Sequence, residues 1–244
     1  MLGLVASLVV GASPCPAAKD TACTPKTAAA CVASGDALVK EPACRAEALA
    51  RYRVACEAKV AKGCAKLGFR LVERSEDPAI VKEAIALFEK ACAANEPLGC
   101  SNLATFLWDG EGIARDVKRA AALFEKACEA GDAFSCGTLG SMHAQGELGA
   151  KNPEKAAALF KRACDGGSAS GCNQLGNVTA ATSLEGAMTL WAKACKEGNG
   201  AACTNLGRAL RKKNDVRTAE KAFARACKLG DKEGCGEQDT PPEE

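Results

Sequence analysis

Large side chains are scarce in this sequence. Aromatic residues make up 4% of the 244 positions and there is one histidine, His143. A core with so few rings must be assembled from Ala and Leu and is thin, so another force has to hold the fold. A single histidine excludes His-rich zinc and haem sites. Charge of one sign is missing too: 32 Lys and Arg against 30 Asp and Glu leave +2, which excludes a polybasic nucleic-acid or membrane-surface binder. No apolar run reaches the roughly 18 residues that span a bilayer. The longest, Leu2 to Ala12 (LGLVASLVVGA), has the length of a signal-peptide core and ends in small residues suited to cleavage. Residues 1–12 are therefore expected to be a signal peptide, although the basic residues that usually precede such a core are missing. The alternative is a buried N-terminal helix or strand. Pro14 makes lipidation of Cys15 a poor fit. Val, Ile and Thr never form an alternating run between turns, so strands are not expected.

Cysteine, by contrast, is abundant: 16 in 25.0 kDa. A reducing cytosol does not support that number unless metal is bound. Fourteen of them fall into seven C-x7-C pairs: Cys23/Cys31, Cys56/Cys64, Cys92/Cys100, Cys128/Cys136, Cys164/Cys172, Cys195/Cys203 and Cys227/Cys235. The first members follow one another at 33, 36, 36, 36, 31 and 32 residues. A period near 34 is the mark of a stacked repeat.

The text between the cysteines repeats as well. ALFEKAC (86–92 and 122–128), ALFKRAC (158–164), TLWAKAC (189–195) and KAFARAC (221–227) are one motif, with apolar positions at helical spacing. This is helix B. A cation in its last turn (Lys90, Lys126, Arg162, Lys193, Arg225) suits the negative end of the helix dipole. A turn residue then ends it: Gly131, Gly166/Gly167, Gly198, Gly230, or Asn95 in one copy. Asp132, Ser168, Asn199 and Asp231 follow as N-caps of a second helix, helix A, read in GCAKLGFRL, GCSNLATFL, SCGTLGSMH, GCNQLGNVT and ACTNLGRAL. Asp77-Pro78, Asp116, Asn152-Pro153, Ser183 and Asp215 start the next helix B.

The first Cys of each pair closes helix B and the second opens the next helix A. A tight turn between them makes the two helices antiparallel neighbours and lets the cysteines face each other. Seven local disulfides are expected, each worth about 2.6 kcal/mol for a nine-residue loop by chain entropy. Zinc is the competing account, but it wants C-x2-4-C knuckles rather than cysteines two helical turns apart. Cys15 and Cys44 lack such a partner; they pair with each other, stay free, or bond between molecules.

The stretch DGEGIARDVKRAAALFEKACEAGDAFSCGTLG resembles the Sel-one-like repeat (SLR) family, relatives of the tetratricopeptide repeats. Gly110, Gly112, Ile113, Asp116, Ala120 and Gly131 carry the resemblance. Gly146, Gly149, Asn152, Lys155 and Ala156 repeat it more loosely, and later copies lose the glycine loop. With C-x7-C in each unit, the chain is similar to the secreted cysteine-rich branch, the Helicobacter cysteine-rich proteins. The resemblance implies an all-α, right-handed α-solenoid of disulfide-stapled helix-turn-helix repeats. Its helix A lines the concave face. It further implies a secreted or periplasmic location, or by a eukaryotic cysteine-rich relative the mitochondrial intermembrane space. A β-lactamase or penicillin-binding label attaches to the same branch. The expected layout is a signal peptide at 1–12, a cysteine-containing cap with a degenerate first repeat at 13–45, the solenoid at 46–236 and a disordered polar tail at 237–244.

The residues themselves give hydrolysis no support. None of the ten serines has Lys three positions on, and SDN and KTG are missing, so the serine β-lactamase constellation is not there. His143 falls where other copies have Leu71, Leu107 and Leu210, which marks it as a packing residue. No cofactor motif is present, and none is expected. Binding remains. Two residues after the second Cys, helix A carries Lys66, Asn102, Thr138, Gln174 and Asn205; five after it come Thr105, Ser141, Asn177 and Arg208. Stacked, these form two polar columns. They are either ordinary solvated surface or the face that binds a protein, a peptide or a peptidoglycan-derived ligand. Amides hydrogen-bond a peptide backbone in both senses, with Lys66 and Arg208 available to a carboxylate. Trp108, ending a helix A beside Asp109-Gly110, is expected as an exposed contact. The reading is a monomeric binding scaffold that takes neither nucleic acid nor membrane; the alternative is weak β-lactam binding or hydrolysis.

Overall fold

The computed structural model describes Cys15 and residues 23–238; the expected signal peptide and residues 239–244 lie outside them. Among the described residues there are thirteen α-helices and no strand. They are α1 (Ala28–Leu38), α2 (Arg45–Glu57), α3 (Ala61–Val72), α4 (Pro78–Ala93), α5 (Pro97–Asp109), α6 (Val117–Glu129) and α7 (Ala133–Gln145). After these come α8 (Pro153–Asp165), α9 (Ala169–Thr179), α10 (Leu184–Lys196), α11 (Gly200–Lys212), α12 (Val216–Lys228) and α13 (Lys232–Gln238). Odd-numbered helices are helix A of a repeat and even-numbered ones helix B. The fold class is an all-α repeat of the solenoid type. The chain divides into two compact units, residues 1–99 and 100–244.

Local chemistry fixes the ends of the helices. The carboxylate of Asp116 accepts from Arg119 N at 2.9 Å and that of Asp132 from Ser135 N at 2.9 Å. Asn152, Ser168, Ser183, Asn199, Asp215 and Asp231 cap in the same way. Each such cap is worth about 1 kcal/mol. Gly131 and Gly167 close α6 and α8 at φ +92° and +87°, a conformation that costs other residues a Cβ clash. Asn95, Lys59 and Asn214 accept that cost at three further turns.

In the α3–α4, α7–α8, α9–α10 and α11–α12 pairs the ring of helix B lies directly on a glycine of helix A; α5 carries Ala104 at that position. A Cβ on Gly140 would come within 2.8 Å of the Phe160 ring, and one on Gly207 within 2.5 Å of Phe223. Gly68 meets Phe88, and Gly176 meets Trp191, in the same register. These contacts let a thin core pack densely: Phe88, Phe124, Phe160 and Phe223 are fully buried amid a lattice of buried alanines.

The same module appears where only a degenerate repeat is expected. Tyr52 of α2 is fully buried on Gly35 of α1, 2.6 Å from where a Cβ would stand. Thus α1 and α2 form a regular helix pair that crosses the expected boundary at 45/46. Tyr in place of Phe, without the ALFEKAC text, hides it in the sequence. At the other end, Glu237 belongs to α13 rather than to a tail.

Candidate functional site

All sixteen cysteines are oxidised and none is free. Cys23–Cys31, Cys56–Cys64, Cys128–Cys136, Cys164–Cys172, Cys195–Cys203 and Cys227–Cys235 are bonded, with Cα separations of 4.9, 4.5, 4.7, 4.4, 4.7 and 4.5 Å. Those values lie at the close end of the disulfide range, as an antiparallel corner dictates. Cys92 and Cys100 are disulfide-bonded as well. Cys15 bonds Cys44 across 29 residues. Among the described residues no His, Cys, Asp and Glu group is arranged to hold a metal ion, and no helix is long and apolar enough to cross a membrane.

The two polar columns of helix A do not stand as two free rows. In three places the residue five after the second Cys of one repeat bonds the residue two after it in the next. Lys66 Nζ of α3 donates to Asp36 of α1 at 2.7 Å. Asn205 Nδ2 of α11 donates to Asn177 of α9 at 3.0 Å and to buried Asn173 at 3.1 Å. Arg208 Nε of α11 donates to Glu237 of α13 at 2.7 Å, which Arg211 also holds at 2.7 Å. Helix stacking sets this register, because positions two and five on neighbouring A helices fall opposite each other. Lys66, Asn205 and Arg208, expected to be available to a ligand, are therefore struts between repeats.

Charge follows the struts. Burial raises the Asp36 pKa, but the Lys66 ammonium and Tyr52 hydroxyl outweigh it, and the carboxyl sits below the ordinary aspartate range. Arg208 holds Glu237 below its ordinary value in the same way, against burial and with help from Arg211. Burial, reinforced by the charge of Lys155, keeps His143 below the usual imidazole range. His143 is half-buried in the last turn of α7, a packing position.

Trp108 is not an exposed contact either. Its indole N–H donates to Glu147 at 2.7 Å, its edge meets the Phe124 ring at 6.4 Å, and Arg115 binds its carbonyl. It buttresses the α5–α6 corner. Trp191 is core, as its replacement of Phe in helix B indicates, with its N–H donated to Asn177.

The rungs formed by Thr105 with Thr138 and by Ser141 with Gln174 differ. The hydroxyls of Thr105, Thr138 and Ser141 turn back to the carbonyls of Ser101, Phe134 and Gly137 in their own helices. Gln174 receives the Asn177 amide from its own helix, at 3.1 Å. Below this face Ser135 and Ser101 share a buried hydrogen bond between α7 and α5. One turn before Thr138 lies Phe134, a ring left 59% exposed. Sequence reasoning missed Phe134. The available signal was a ring at the position where other copies carry Lys62, Leu98, Ser170, Ala201 and Glu233. Asn102, Thr138, Gln174, Ser141 and Phe134 thus make a neutral, amphipathic surface centred on α7.

Paired helices, rings seated on glycine and disulfides at six of the corners define a cysteine-stapled α-helical repeat protein. The Sel1 repeat family model matches residues 61–96, 97–132 and 136–168. The chain carries Sel1 repeats over these residues. A Sel1 repeat protein from Oxalobacter formigenes shares 19% identity over 91% of this chain and 94% of its own, with a TM-score of 0.72. The protective antigen c5321 of uropathogenic Escherichia coli, described as displaying an SLR fold, shares 22% identity over 86% of this chain, with a TM-score of 0.71. This chain spans 48% of that antigen's length. Helicobacter pylori cysteine rich protein B is 30% identical over 52% of this chain and 90% of its own, with a TM-score of 0.42. No functionally curated protein matches the sequence.

Proposed function

We propose that this chain is an exported, monomeric repeat scaffold that binds an extended, uncharged segment of a partner protein or peptide. The surface that takes it is the helix A face of α5, α7 and α9. The observation that carries the reading is the interruption of the strut ladder. Rungs formed by ionic or amide pairs are closed, whereas Thr105, Thr138, Ser141 and Gln174 make no hydrogen bond across to the next repeat. An extended peptide presents donors and acceptors at a regular rise, which suits hydroxyls and amides repeated at one position per repeat. Phe134 supplies an apolar anchor at the centre of the row. The oxidised cysteine set supports an oxidising compartment, secreted or periplasmic. In a periplasm, a peptidoglycan stem peptide offers the same backbone groups as a protein segment.

The test begins with ten-residue peptides selected from a display library on the immobilised, oxidised chain. Phe134→Ala should weaken selected peptides by about tenfold, from loss of a buried ring contact. Gln174→Ala should cost about 0.5–1.5 kcal/mol, one hydrogen bond. Glu125→Ala and Lys161→Ala, on the exposed outer side of helix B, should change nothing. Loss at the outer pair with no loss at Phe134 and Gln174 would place binding on the other helix.

A further inference from the structure

Three contacts in the second unit share one form. Arg162 of α8 donates to the carbonyl of Cys128, which lies in the last turn of α6, at 3.0 Å. Lys193 of α10 donates to the carbonyl of Cys164 at 3.1 Å. Arg225 of α12 donates to the carbonyl of Cys195 at 3.1 Å. Each cation stands two residues before the cysteine of its own helix B and reaches back to the matching cysteine of the preceding one. The negative helix end favours a cation there, and each of these carbonyls, which also accepts the backbone N–H three residues on, has a second lone pair for it.

In the first unit this register sets Lys90 of α4 against Cys56 of α2, but the contact is not made. Lys90 is exposed, and its ammonium has no hydrogen bond or ion pair among the described residues. Where those three contacts close the second unit, a cavity of about 410 Å³ opens here between α2 and α4. Its apolar lining is Cys56, Leu67 and Leu87. Its charged lining is Lys59, Lys90, Arg53, Glu57 and Glu83. Arg53 and Glu83 neutralise each other at 3.1 Å. That leaves two ammonium groups, Lys59 and Lys90, against the single carboxylate of Glu57. A cavity of this size, with an apolar floor and an excess of cation at the rim, suits a small amphipathic anion.

We propose that this cavity is a binding site for the free C-terminal end of a peptide whose last residue is apolar. The terminal carboxylate lies between Lys59 and Lys90. The last side chain covers Leu67 and Leu87. The last peptide N–H donates to the Cys56 carbonyl, whose counterparts in the second unit are occupied by Arg or Lys. Glu57 repels a second carboxylate and so excludes peptides ending in Asp or Glu. The site lies on helix B and is independent of the α7 face.

The experiment uses the full oxidised chain and an acetylated, fluorescently labelled pentapeptide ending in Ala-Leu, as the free acid and as the carboxamide, with binding read by anisotropy. The acid should bind at least tenfold more tightly than the amide. Lys59→Met and Lys90→Met should each weaken the acid at least threefold, and together at least tenfold, with thermal melts confirming that the variants are folded. Lys82→Met, an exposed change outside the cavity, and Phe134→Ala should leave the affinity unchanged. Equal affinities for acid and amide, no binding of the acid at millimolar concentration, or an unaffected double variant would each overturn the proposal. So would dodecanoate binding through the same lysines while the peptide acid fails, since the site would then belong to a lipid acid.

Discussion

Replacing Lys66 by Met separates a strut from a ligand contact. The methionine keeps most of the buried alkyl stem and removes only the ammonium, which donates to Asp36 at 2.7 Å. Asp36 then retains the hydroxyl of fully buried Tyr52, also at 2.7 Å. A hydrogen bond to a charged group is worth about 1.5–3 kcal/mol, and an exposed ion pair about 0.2–1. The Lys66 side chain is 24% exposed but that of Asp36 is 42% exposed, so solvent screening draws the value towards the lower range. About 1 kcal/mol is expected, equivalent to a fall of roughly 2–4 °C in Tm for a chain of this size. The effect depends on pH with a definite sign. The Asp36 carboxyl titrates below its ordinary value of 3.8 in the folded state. Its stabilisation is therefore complete above that value and is lost as pH falls through the lower, folded pKa. Calorimetry of both proteins should show the gap at pH 7 and its disappearance in strong acid. Equal melting temperatures at pH 7, together with weaker binding of helix A peptides by the variant, would refute the strut assignment and restore Lys66 as a ligand residue.

Three further changes probe the frame around the site. Gly140→Ala forces a methyl against the Phe160 ring and should cost about 1–3 kcal/mol by urea titration, as overpacking does. Arg225→Met removes two guanidinium bonds to the carbonyls of Cys195 and Lys196; a loss of about 0.3–1 kcal/mol is expected from the helix end alone. Trp108→Phe deletes the indole bond to Glu147 while keeping a ring on Phe124, and should cost about 0.5–1.5 kcal/mol with no change in peptide binding.

The parts of this molecule that were legible in the sequence are those governed by neighbours in sequence. Asp116, Asp132, Ser168 and Asn199 cap helices because a short side chain reaches an amide two or three residues on, which spacing alone reveals. The cysteines face each other because eight residues span one tight corner. Register between repeats is different, since it depends on how far one helix A rises relative to the next. Without that offset the columns show Lys66 and Arg208 as cations open to a ligand, and their partners Asp36 and Glu237 do not stand out. A trace of it was nonetheless present: Asp36 and Lys66 stand 30 residues apart, and Arg208 and Glu237 stand 29 apart, opposite charges at nearly the repeat period. Glu237 was hidden by its place at the start of a Pro-containing polar stretch. The first repeat was hidden because Tyr52 and Gly35 keep the packing but not the text of the motif. Phe134 departs from the repeat text, whereas Lys90 keeps it and departs only in the contact it makes, which the structure alone shows.

Local disulfides close the corners of the repeat, and fragment mapping of the unreduced protein tests that directly. Proteolysis should recover each C-x7-C pair within a single short stretch, with Cys15 joined to Cys44 and no thiol reacting in denaturant before reduction. Bridges between different repeats, titratable free thiols, or zinc bound in stoichiometric amount would contradict it.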